Sequence, residues 1–185
     1  MTRVFRTALV TALAALAITG QAQAAGGNYA FDGGTAKQRT QVRSALNASS
    51  FNWSLVPAQI KIHIAPVGQS YSTRGDIYLD SRLLNAGRFS WAMVQDEYSH
   101  QIDFFLFTDS IRTKLNSLLG GKDWCYGVQG LLHSQYGCER FSSTLVWAYW
   151  QSRNNAYKPG SKNSESAAMS PAKFRTLMSG LVLSS

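Results

Sequence analysis

The sequence predicts an α+β fold in which a small antiparallel or mixed sheet packs on two long helices. Ile60, Ile62 and Ile64 alternate with Lys61 and His63, and Ile77 and Leu79 alternate with Asp76, Tyr78 and Asp80 after a turn region rich in Gly, Ser and Thr. Alternation with period two marks two half-buried strands, expected to pair antiparallel. From about Gly87 the period changes, because Trp91, Val94, Tyr98, Ile102 and Phe105 recur at intervals of three and four. That spacing keeps the apolar residues on one stripe of a helix. A second long helix is expected over residues 138–150, beyond a loop bounded by cysteines.

At the N-terminus, Arg3 and Arg6 precede an apolar run over residues 8–18, followed by Ala22, Gln23 and Ala24. This is the pattern of a secretory signal peptide cleaved after Ala24. The run holds 11 residues, too few to cross a hydrocarbon layer that takes about 20. No other stretch comes close, so a secreted monomer with no membrane insertion is expected, one domain over residues 25–185.

Residues 26–34 have the composition of a loose N-terminal arm, and residues 35–48, with Val42, Ala45 and Leu46 among polar neighbours, read as an amphipathic surface helix. Gly120 and Gly121 close the helical stretch that follows the first long helix, and a Gly-containing loop covers residues 121–137. Residues 154–168 are polar and Ser-rich. Ser170 and Pro171 then supply an N-cap and a favoured first residue for a short closing helix.

The formal charge of +8 falls to +6 once Arg3 and Arg6 are removed, and the remaining Lys and Arg are scattered along the chain. A nucleic-acid surface would concentrate them on one face, so no nucleic-acid partner is expected. Weak attraction to anionic cell-wall polymers is the most that this charge implies. Cys125 and Cys138 are the only cysteines. In an exported chain an even pair reads as a disulfide. It closes a loop of 14 residues, a contribution of about 3 kcal/mol in the loop-entropy account.

Asp96 and His100 are four apart on the first long helix and Asp103 follows three further on, so their side chains share one face, off the buried stripe. Carboxylates bunch here in an otherwise basic chain, His100 is one of only three histidines, and apolar residues flank the stripe closely. These features mark a face turned to a cleft. His63, on the polar phase of its strand, reads as an exposed residue and not as a ligand.

The run Glu97, Tyr98, Ser99, His100, Gln101, Ile102, Asp103 resembles the active-site helix of gluzincin-type metallopeptidases, His-Glu-x-x-His-x-x-Asp, with Asp96 in place of the first His. Cys138, Glu139, Arg140 and Phe141, followed by small residues and then by residues 147–150, a Trp-Ala-Tyr-Trp run, are similar to the Glu-x-Phe-Ala helix of lethal-factor-like zinc domains. The likeness covers roughly residues 88–150. It implies a zincin-like fold, a rim strand over residues 76–80 lying beside the substrate, and a secreted metal-dependent peptidase acting on peptide or protein substrates.

Position by position, the resemblance implies Asp96, His100 and Glu139 as ligands of Zn2+ or another divalent cation, Glu97 as general base, and Asp103 as the partner that orients His100. Zincin sites commonly add a Tyr or His that donates to the developing oxyanion. Tyr136 and His133, just upstream of Glu139, are the candidates, with Tyr136 preferred.

Asp in place of His changes the expected chemistry. Two carboxylates and one imidazole offset more of the ion's charge, which makes a bound water less acidic and shifts preference toward oxygen-seeking ions such as Mn2+ or Ca2+. The alternative expectation is a catalytically inactive module that keeps the cleft and binds a peptide or a cell-surface polymer.

Overall fold

Ile60, Ile62 and Ile64 bury one face of strand β2 (Ile60–Ala65) in a four-stranded mixed sheet, seen in a computed structural model that describes residues 26–182. The signal-peptide segment expected over residues 1–24 lies outside the described residues. The spatial order is β1 (Tyr29–Gly33), β2, β4 (Asp76–Asp80), β3 (Tyr71–Thr73), with β1 at one edge and β3 at the other.

Contrary to the antiparallel pairing expected, β2 and β4 run parallel, with Ile62 opposite Ile77 and Ile64 opposite Leu79. Period two reports which face a residue occupies and carries no information on strand direction. Direction is set by residues 66–75, which take the chain past the place β4 will fill and lay down β3 before Gly75, at φ +90, turns it back. The antiparallel pair is therefore β3 with β4.

The arm expected over residues 26–34 is also ordered, because residues 29–33 form β1, parallel to β2 from Tyr29 opposite Ile60 to Gly33 opposite Ile64. Tyr29 and Phe31 pack on the core, and Gly27 lies so close to the Tyr98 hydroxyl that a Cβ there would collide with it.

Six α-helices accompany the sheet among the described residues. Helix α1 (Ala36–Ala48) starts with a capping box, in which Gln38 N–H donates to Thr35 Oγ1 at 3.3 Å and Thr35 N–H to Gln38 Oε1 at 2.8 Å. After the short α2 (Ser81–Leu84) and a 3₁₀ turn over Gly87–Ser90 comes α3 (Trp91–Leu106). Every residue of 94–103 is buried, so α3 is the central helix, enclosed by the sheet, α1 and α5. Its polar residues therefore face protein, and each needs a partner there.

Helix α4 (Asp109–Leu119) begins at the Thr108 cap and stops at Gly120 in the left-handed region. Helices α5 (Gly137–Tyr149) and α6 (Pro171–Val182) complete the helical layer. Trp53, Tyr98, Phe141 and Phe174 are wholly buried at the junction of the layers, each worth about 1.5–3 kcal/mol of transfer free energy.

Candidate metal centre

Two helices bring the site together. Asp96 and His100 lie one turn apart on α3, and Glu139 occupies the first turn of α5. Close approach of the helices is allowed by Ser142 and Ser143 of α5, both fully buried. The start of α5 is fixed by the preceding loop, since the Gly137 and Cys138 N–H groups donate to the Asp123 and Trp124 carbonyls at 2.7 and 2.8 Å. A side chain at Gly137 would collide with Asn116 and Trp124. The Cys125–Cys138 disulfide, with Cα atoms 5.5 Å apart, ties the same loop to the residue before Glu139.

Ligand-type atoms of Asp96, His100 and Glu139 all lie within 4.8 Å of one another. His100 Nε2 faces Glu139 Oε2 at 3.6 Å. Each carboxylate is also gripped from behind. Ser142 Oγ donates to Asp96 Oδ1 at 2.5 Å, and the Tyr126 hydroxyl donates to Glu139 Oε1 at 2.9 Å. Ligating carboxylates commonly carry such outer hydrogen bonds.

The three residues open on a cleft of about 370 Å³, also lined by Tyr71, Ser72, Glu97, Tyr126, His133 and Tyr157. The β3–β4 hairpin forms one wall and is clamped to α3 twice. Ser72 Oγ lies 2.8 Å from both the Glu97 carbonyl and Glu97 Oε2, while Gln101 Nε2 donates to the Thr73 carbonyl at 2.9 Å and Gln101 Oε1 accepts from Gly75 N–H at 2.9 Å.

Three buried carboxylates meet in this cleft and no Lys or Arg among the described residues lines it, although the chain carries 18 Lys and Arg against 10 Asp and Glu. Burial pushes Asp96 up to about 6 against the pull of His100. Burial, reinforced by the adjacent Asp96, pushes Glu97 up to about 7. Burial alone would lower His100, but the facing Glu139 and Asp96 carboxylates outweigh it and raise it to about 9. Burial likewise opposes ionisation of Glu139, yet the facing His100 and His133 hold it well below the usual carboxylate range. The cluster thus favours protons on its imidazoles, and a divalent cation is the other species that would satisfy its negative charge.

Glu97 lies beside the triad, its carboxylate taken by Ser72. Asp103 is not the partner of His100. Its carboxylate accepts from Arg112 Nε at 2.7 Å and Trp124 Nε1 at 3.0 Å, which ties α3 to α4 and the loop. Tyr136 is buried with its hydroxyl on the Val128 carbonyl at 2.8 Å, and does not line the cleft. His133 does line it, 3.1 Å from Glu139 Oε2. The wall strand is β3, since β4, expected to be the rim, is covered on both edges by β2 and β3. His63 stays apart from the cleft, between Asp32 at 2.9 Å and Asp76 at 2.8 Å.

Ser72, Tyr126, Ser142 and Tyr157 are site residues that no local pattern in the sequence marks. Tyr126 is the one non-glycine residue with positive φ among the described residues, at 58, a strained conformation of the kind that collects at functional sites. Tyr157, partly buried on the segment after α5, has its hydroxyl near the Asp96 carboxylate and is raised well above its ordinary value by that burial.

The donor set fits a divalent cation. In a tetrahedral zinc site with bonds of about 2.0–2.2 Å, neighbouring donors stand about 3.3–3.5 Å apart, close to the 3.6 Å between His100 and Glu139. Comparison with protein-family models, curated proteins and solved structures returned no match.

Proposed function

We propose that the protein is an exported, metal-dependent peptidase of zincin type, with Asp96, His100 and Glu139 as the ligands of a divalent cation and Glu97 as general base. The observation that carries this reading is the convergence of the three donor groups within 4.8 Å in a cleft that also holds the Glu97 carboxylate and one edge of a sheet. A cation bound there supplies Lewis acidity, polarising a peptide carbonyl and making a water molecule a better acid.

The protein's own groups account for the rest of the reaction. Glu97, raised to about 7, is poised to take a proton at neutral pH and pass it to the leaving amine. The free edge of β3 offers backbone groups to an extended substrate, which adds as a further strand and is held in register across the cleft. Tyr126, half-exposed, spends its one hydroxyl proton on Glu139 Oε1 at 2.9 Å and so orients that ligand. Export rests on the pattern of residues 1–24 and agrees with the Cys125–Cys138 disulfide. No helix among the described residues is long and apolar enough to cross a membrane.

Zn2+-loaded protein should cleave an unfolded protein substrate and stop when chelator is added, and Glu97→Gln should keep the metal while losing at least a hundredfold in rate. Binding of unfolded substrate with no cleavage under any divalent ion, unaffected by chelator, would overturn the peptidase reading in favour of a binding module.

A further inference from the structure

The pairing register sets Asp32 of β1, His63 of β2, Tyr78 of β4 and Tyr71 of β3 side by side in one row across the sheet. They alternate with Ile62, Ile64, Ile77 and Leu79, which are buried in the core, and with Ser72, which reaches Glu97. The row therefore lies on the other face of the sheet. Its three rings are stacked. The His63 and Tyr78 centroids are 4.4 Å apart with planes 8° from parallel, and those of Tyr78 and Tyr71 are 4.6 Å apart with planes 12° from parallel. One end of the stack is fixed, because His63 Nδ1 lies 2.9 Å from Asp32 and His63 Nε2 lies 2.8 Å from Asp76. The other end is open: Tyr71 stands on the edge strand β3, is 47% exposed, and has Tyr78 as its only ring partner among the described residues.

We infer that the outer ring face of Tyr71 is a subsite for an aromatic side chain of an extended peptide substrate, which adds one more ring to the stack. The inference rests on the reading given above, in which the substrate pairs with the free edge of β3. A strand paired there sets the residue opposite Tyr71 on the same face, with Cβ atoms about 4.5–5.5 Å away. That is the spacing the row already repeats twice, so backbone pairing alone delivers a ring to the open face. The stack is ordered before substrate arrives, and little side-chain freedom is lost on the protein's side. Stacking of this kind favours an aromatic residue over Leu at the same position by about fivefold in affinity.

Alternation along the substrate then separates selection from cleavage. A substrate residue opposite Ser72 faces the cleft and Glu97, while its neighbour opposite Tyr71 faces away from them. The selected aromatic residue is thus next in sequence to a residue that enters the cleft. Tyr71 acts as a specificity residue and touches none of the reacting atoms.

Titration calorimetry tests this on Zn2+-loaded Glu97→Gln protein, with unlabelled peptides of about ten Ala and Thr residues that carry Phe, Leu or neither at each position in turn. One position is expected to bind Phe about fivefold more tightly than Leu, with the ring protons of that Phe shifted upfield in the NMR spectrum of the complex. Both effects should vanish when Tyr71→Thr is added, which keeps a strand-forming residue on β3, and persist with Tyr71→Phe. Peptides bound with no preference for Phe at any position overturn the inference, as does a preference unchanged in folded Tyr71→Thr. A Tyr71-dependent preference with no cleavage by Zn2+-loaded wild type leaves the subsite standing and removes the peptidase reading. Cleavage with no aromatic preference does the reverse, and protein that binds none of the peptides overturns both.

Discussion

Replacing Asp96 by Asn should stabilise the metal-free protein and lose that advantage when metal is bound. Asp96 is 4% exposed, and on folding its carboxyl rises from 3.8 to about 6. An ionised carboxylate with that displacement costs about 3 kcal/mol at neutral pH relative to its neutral form. Asn resembles the neutral form and can still accept from Ser142. Without metal, Asp96→Asn should therefore be more stable above pH 7 by about 2–3 kcal/mol, or about 5–10 °C in melting temperature for a chain of this size. The gain should shrink as pH falls through about 6, where the wild-type group takes up its proton.

With metal the two proteins are expected to come out nearly level. At free Zn2+ a thousandfold above Kd the wild type gains about 4 kcal/mol. Loss of a ligand that weakens binding about a hundredfold leaves the variant about 1.4 kcal/mol at the same concentration. Thermal melts of both proteins in chelator and in Zn2+ read both effects. Asp96→Asn melting below wild type in chelator and gaining as much from zinc would refute the reasoning.

Three further outcomes are expected. In chelator, His100 and His133 are raised from 6.5 to about 9 and about 10 by their carboxylate partners. Their contribution is complete below pH 6.5 and is lost as pH rises through 9 to 10, so denaturant midpoints should fall over that range. A midpoint flat from pH 7 to 10 would contradict the ion-pair cluster. Cys125→Ser with Cys138→Ser should cost about 3 kcal/mol and also weaken Zn2+ binding, because the bond anchors Tyr126 beside Glu139; affinity equal to wild type would show that the loop is irrelevant to the site. Asp103→Asn should lower stability by about 2 kcal/mol through its pairing with Arg112 and leave Zn2+ affinity unchanged; a large affinity loss would restore Asp103 as the partner of His100.

Period and spacing carried the secondary structure and part of the site. The intervals linking Trp91, Val94, Tyr98 and Ile102 found α3, and the isoleucines of 60–64 found β2, because one-sided burial writes itself into local spacing. Strand direction was illegible for the same reason, and β1 was hidden by its glycine-rich, half-exposed setting. The aromatic and hydroxyl groups that complete the cleft, Ser72, Tyr126, Ser142 and Tyr157, come from four separate segments. They meet only through tertiary packing, so no window of sequence contains the pattern. Asp103, three residues from His100, lies within its reach by spacing alone, while the choice between partners is made by Arg112 and Trp124, nine and twenty-one residues from Asp103.

Metal content of the purified wild-type protein after Zn2+ supplementation, measured beside His100→Ala, bears most directly on the central claim. About one zinc per chain is expected in the wild type, with little in His100→Ala. Folded wild-type protein that holds no zinc, manganese or calcium above the His100→Ala level would contradict the metal centre.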